Sequence, residues 1–89
     1  MDKQQLQGHL EELHAELQKV ENLDASQQKI LTSVARDVQD ALEREGDQPH
    51  HYSGLRERLS EAVAQLEASH PRATMLMREV IDQLAYLGI

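Results

Sequence analysis

Leu6, Leu10, Leu13, Leu17 and Val20 follow one another at alternating steps of four and three. That spacing keeps a single line of a helix apolar and has the form of a heptad seam. The line is narrow, which predicts packing along one partner helix. Asp2 followed by Gln5 has the pattern of a capping box, with Asp2 as N-cap. Gly8 falls inside this first segment, where glycine costs roughly 1 kcal/mol relative to alanine.

Asn22-Leu23-Asp24 interrupts the period, and Asp24 with Gln27 repeats the capping logic. The second segment carries Ile30, Leu31, Val34, Ala35, Val38, Ala41 and Leu42, a wider face that predicts a more central helix. Gly46 to Gly54 has no apolar period and contains two glycines and Pro49, so it reads as a linker. A third segment follows with Leu55, Leu59, Ala62, Val63 and Leu66, and Ser53 is placed to cap it. The fourth carries Ala73, Leu76, Met77, Val80, Ile81, Leu84 and Leu87. It ends at Gly88, suited to a left-handed C-terminal position, with Ile89 set for a hydrophobic contact behind it. Short connections favour antiparallel neighbours. The pattern therefore predicts one all-α domain over 1–89. A helical hairpin at 2–45, a linker at 46–54 and a second hairpin at 55–89 would join in an oligomeric helical bundle.

Composition narrows the chemistry. There is no cysteine, so disulfides, thiolate metal sites and a cysteine nucleophile are excluded. Two tyrosines are the only aromatic residues, which leaves no stacking platform for single-stranded nucleic acid. The net charge is −7. Residues 1–52 hold five Lys or Arg against eleven Asp or Glu, and residues 53–89 hold four against five. Such a balance repels phosphate and anionic lipid, so nucleic acid and membrane are disfavoured as partners. The polar start, without an apolar run behind it, and the lack of any stretch of about 20 apolar residues predict a cytoplasmic protein.

Several constellations are candidates for function. Glu11-x-x-His14 and Glu67-x-x-His70 have the spacing of di-metal carboxylate bundles. Each Glu or His of these pairs except His70 directly follows a seam leucine or lies beside the seam, about 100° from it, so the pairs read as surface decoration. His50 and His51 are candidates for a zinc site or a pH sensor, but three ligands from one stretch are missing. A solvated linker is the better reading there. A helix-turn-helix around Glu67–Thr74 would present Arg72, Thr74 and Arg78 to bases, yet the apolar density of the last segment leaves little polar face. No nucleophile elbow, phosphate-cradling glycine loop or zinc-protease motif occurs, and serines at segment starts read as caps. No catalytic, metal-ligating or cofactor-binding residue is therefore assigned, and no cofactor is expected.

A domain this small is only modestly stable alone, which favours association. The expected function is a non-enzymatic helical interaction or structural module that self-associates, with Leu6, Leu10, Leu13 and Leu17 as its surface. Its partners would be itself, as a homodimer or higher oligomer, and a further protein. The alternative is a transcription-associated DNA-binding regulator.

Leu10-x-x-Leu13-His14-x-Glu16-Leu17, Leu66-Glu67-Ala68-Ser69-His70-Pro71 and Ile81-x-x-Leu84-x-x-Leu87-Gly88-Ile89 together resemble a small bacterial family of unknown function. The resemblance spans nearly the whole chain. The Glu-Ala-Ser-His-Pro block and the terminal Gly-Ile are its specific parts; Leu66 stands where an aromatic often precedes that glutamate. The resemblance implies a cytoplasmic helical protein and carries over no catalytic residues. Read from its residues, the block Glu67, Ser69, His70, Pro71 is a hinge. Proline disfavours helix at the residue before it and suits the first position of the next helix, leaving Ser69 or His70 to cap.

Overall fold

Four apolar seams need one another's cover, and in the computed structural model they close a ring. The structure describes residues 2–43 and 52–88, apart from the side chains of Asp2, Lys3 and Ser53. The helices are α1 (Asp2–Leu17), α2 (Ala25–Glu43), α3 (Ser53–Leu66) and α4 (Pro71–Leu87), and no strand occurs among the described residues. α1 packs on α2 and α4, and α3 packs on the same two helices. Cross-helix pairs give the directions. Arg72 at the start of α4 meets Glu16 at the end of α1, and Glu79 meets His9 further back. Ser26 at the start of α2 bonds Gln65 at the end of α3, and Arg58 meets Asp37. Neighbours therefore run antiparallel, and the α1–α2 loop lies at the same end as the α3–α4 turn.

The interior is aliphatic. Leu10, Leu13, Leu59, Leu66, Met77, Leu84, Val34, Val38 and Val80 are all fully buried, with Leu6, Leu17, Leu31, Leu55 and Leu76 beside them. Each large aliphatic side chain so buried stabilises the fold by roughly 1.5–3 kcal/mol against leaving it in water. Tyr52 is half-buried and packs against the edge of this core, and Tyr86 is outside.

Several expectations are corrected. The α1 seam was assigned to association, but Leu6, Leu10, Leu13 and Leu17 are 0–6% exposed inside the chain's own core. They are not available as a surface unless the helix leaves the bundle. The narrow stripe also does not imply one partner, because it sits in the crevice between α2 and α4. α2 is no more central than the others, since a ring of four has no central helix; Ile30, Ala35 and Leu42 of its wide face are half-buried at the rims. α3 begins at Ser53 rather than 55, so Tyr52 takes the N-cap position and Ser53 is already helical. The capping side chain of Asp2, most of the linker with His50 and His51, and Ile89 lie outside the described residues.

Other details hold. The capping box of α2 is reciprocal: the Gln27 N–H donates to Asp24 Oδ1 at 2.7 Å, and the Asp24 N–H donates to Gln27 Oε1 at 3.2 Å. Gly88 is left-handed, with φ 77°, and its N–H donates to the Ala85 carbonyl at 3.1 Å. No helix among the described residues is long and apolar enough to cross a membrane.

Candidate functional site

The Glu67–Pro71 block lies where the two hairpins meet at their loop ends. α3 ends because Pro71 cannot continue it, and the Ser69 and His70 N–H groups fold back onto the Leu66 carbonyl at 3.2 and 2.7 Å. Pro71 then starts α4, where its missing N–H removes nothing. His70 occupies the N-cap position but makes no side-chain cap. Its imidazole is turned across to the other hairpin instead.

His70 Nε2 lies 2.8 Å from the carbonyl oxygen of Glu21, in the α1–α2 loop. A carbonyl only accepts, so Nε2 carries the proton. His70 Nδ1, 2.8 Å from Ser69 Oγ, is then free to accept the serine hydroxyl. The loop is shaped to deliver this carbonyl. Asn22, directly after Glu21, has φ 61°, a left-handed conformation that asparagine tolerates better than most residues. The same end holds a second bridge. With its Oε1 used in the α2 cap, Gln27 offers Nε2 to the Gln65 carbonyl at 3.4 Å and to Ser69 Oγ at 3.5 Å. An orphan carbonyl near the end of α3 is thus met by the cap of α2.

Charge pairs frame this end. Arg72 Nε donates to Glu16 Oε1 at 3.1 Å, joining α4 to α1, and Arg78 Nη2 donates to Glu67 Oε2 at 2.6 Å, closing the α3–α4 hairpin. Between the hairpins opens a shallow cleft of about 410 Å³ that includes Lys19, Val20, Asn22, Ser69, His70 and Arg72.

The block read as a hinge is the turn between α3 and α4, and it also ties that turn to the α1–α2 loop. The Glu67/His70 pair that resembled a metal spacing divides its labour: Glu67 takes Arg78, while His70 takes Glu21. Glu11 is exposed and His14 half-buried on another helix. No three His, Asp or Glu come together as a metal group among the described residues. Of the reading-helix residues, Thr74 is fully buried, with its hydroxyl donating to the Pro71 carbonyl at 3.0 Å, and Arg72 and Arg78 are each engaged by a carboxylate.

One feature escaped sequence reasoning. His9 of α1 sits against α4 with Nδ1 3.3 Å from Glu79 Oε2, close enough for an ion pair but without hydrogen-bond alignment. Gln83 Oε1, also on α4, is likewise buried without a hydrogen bond. The period put His9 just beside the seam, and only the choice of neighbour decides that it meets a carboxylate.

The chain belongs to the family described as a domain of unknown function (DUF4404), whose model matches residues 6–89. No curated protein and no solved structure matches it.

Proposed function

We propose that the chain is a non-enzymatic helical module that works by contact with other protein chains, a second copy of itself first. The observation that carries this reading is the pair of large apolar side chains left outside among the described residues. Met75 is 48% exposed and Tyr86 74% exposed. Both lie on α4, eleven positions apart, which is about three full helical turns. They therefore stand on one outer line of the helix, with Arg78 and Asp82 between them. Such a line is self-complementary. Two α4 helices laid antiparallel bring Met75 of each copy to Tyr86 of the other, and Arg78 of each near Asp82 of the other, as a two-fold interface requires.

The face is only one helix wide, so the association is weak and reversible. Sedimentation of the full chain tests it. The wild type should show a mass rising above one chain through the micromolar range, and the double variant Met75→Glu with Tyr86→Glu should remain a monomer. A wild type that stays monomeric to millimolar concentration, or a double variant that associates equally, removes the reading.

A further inference from the structure

We infer that Ser69 is a histidine-activated nucleophile, an acylation site for activated carboxylic esters and thioesters. The inference does not rest on the α4 face, and it concerns one stoichiometric transfer rather than turnover. Nucleophile activation needs three groups in order: a hydroxyl, an imidazole nitrogen with a free lone pair, and an acceptor that holds the imidazole in the right tautomer. Ser69 Oγ, His70 Nδ1 and the Glu21 carbonyl supply them, at 2.8 Å and 2.8 Å. The tautomer is forced, because a backbone carbonyl cannot donate and so fixes the proton on Nε2. The lone pair on Nδ1 is thereby turned toward the serine. Ser26, by comparison, bonds an amide oxygen of Gln65, which is no base.

Access fits the same chemistry. Ser69 is exposed and His70 only half-buried, and both line the cleft between the hairpins. The first turn of α4 borders that cleft through Arg72 and Ala73. Pro71 has no N–H, and the Thr74 N–H is used by the His70 carbonyl at 3.2 Å. The Arg72 and Ala73 N–H groups have no intrahelical acceptor, as at any helix start, and face a cleft whose Lys19 and Arg72 are offset by Glu16 and Glu21.

In the transfer, Ser69 Oγ bonds to the acyl carbon and its proton passes to His70 Nδ1. The bond from the acyl carbon to the leaving oxygen or sulfur breaks, and the leaving group takes that proton and departs as an alcohol or thiol. The product is an ester of Ser69 beside a neutral imidazole. An esterified Ser69 can no longer donate to His70, while the bond from Nε2 to Glu21 is untouched.

The probe is p-nitrophenyl acetate on the full chain, with release of p-nitrophenolate followed in time and the acetyl group located by peptide mass spectrometry. One acetyl group should appear on Ser69, in preference to Ser26, Ser33 and Ser60. Ser69→Ala should abolish the reaction, and Ser26→Ala should leave it unchanged. His70→Gln should slow it about 100-fold or more, the usual contribution of a positioned base. Acetyl scattered over lysines and serines without preference overturns the inference. So does acetylation of Ser69 at an unchanged rate in a folded His70→Gln variant, or a burst that survives Ser69→Ala, which would mark the imidazole itself as the target. If His70→Gln fails to fold by circular dichroism, the wild-type site map and Ser69→Ala decide alone, since position 69 is exposed.

Discussion

In the interior of the bundle, Leu13, Leu59, Met77 and Val80 are fully buried. At the loop end, contacts between the hairpins pass through Gln27, Gln65, Ser69, His70 and the Glu21 carbonyl, several of them exposed. The two regions do different work. Apolar burial is large but has no direction, so a seam that repeats every few residues is nearly as well buried after one helix slides by a turn. Hydrogen bonds are individually small and strictly aimed. The interior therefore drives the helices together, and the loop end selects the register in which the hairpins meet.

Breaking the interior should have the largest effect. Leu13→Ala removes a fully buried side chain between two neighbouring helices and should cost about 2–5 kcal/mol in urea unfolding. Breaking the tie should cost less. His70→Ala removes the bridge to Glu21 and should cost about 1 kcal/mol, because a solvent-reachable carbonyl recovers water. Its effect on register should show separately, as faster amide exchange in residues 20–24 with exchange in the middle of α4 unchanged.

Two glycines sharpen the comparison at the smaller end of the scale. A Cβ added at Gly8 or at Gly88 meets nothing within 4 Å, so packing does not distinguish them. Gly8 has ordinary helical backbone, and Gly8→Ala should stabilise by about 0.8 kcal/mol. Gly88 is at φ 77°, where a side chain strains the backbone, and Gly88→Ala should destabilise by about 1 kcal/mol. Paired melting curves of the two variants check both signs. The smallest effect belongs to the exposed Arg58–Asp37 pair on α3 and α2, where Arg58→Gln should change stability by under about 0.5 kcal/mol.

Much of the interior was legible from spacing alone. The buried residues of α1 and α3, and those of α4 apart from Thr74, belong to the apolar periods, because burial depends on which side of a helix a residue occupies and the period states that side. The α2 capping box and the left-handed Gly88 were legible for a related reason: both are local geometry set by a few adjacent residues. What seams bury against was not legible. An apolar line looks the same whether its cover is another helix of the same chain or another copy, and so the α1 leucines were assigned to the wrong cover. The role of His70 was hidden further, since its partner is a backbone carbonyl 49 positions away, and a carbonyl has no sequence signature. Proline explained the bend; only the packing of one hairpin on the other explains the histidine.

The central claim is that His70 ties the α3–α4 turn to the α1–α2 loop through Nε2. Nitrogen-detected NMR of the neutral His70 imidazole tests it most directly, because the two ring nitrogens report which one holds the proton. A single Nε2–H tautomer is expected, with contacts from the ring to Glu21 and Asn22. An Nδ1–H tautomer, or rapid averaging between the two with no contact to the α1–α2 loop, would contradict it.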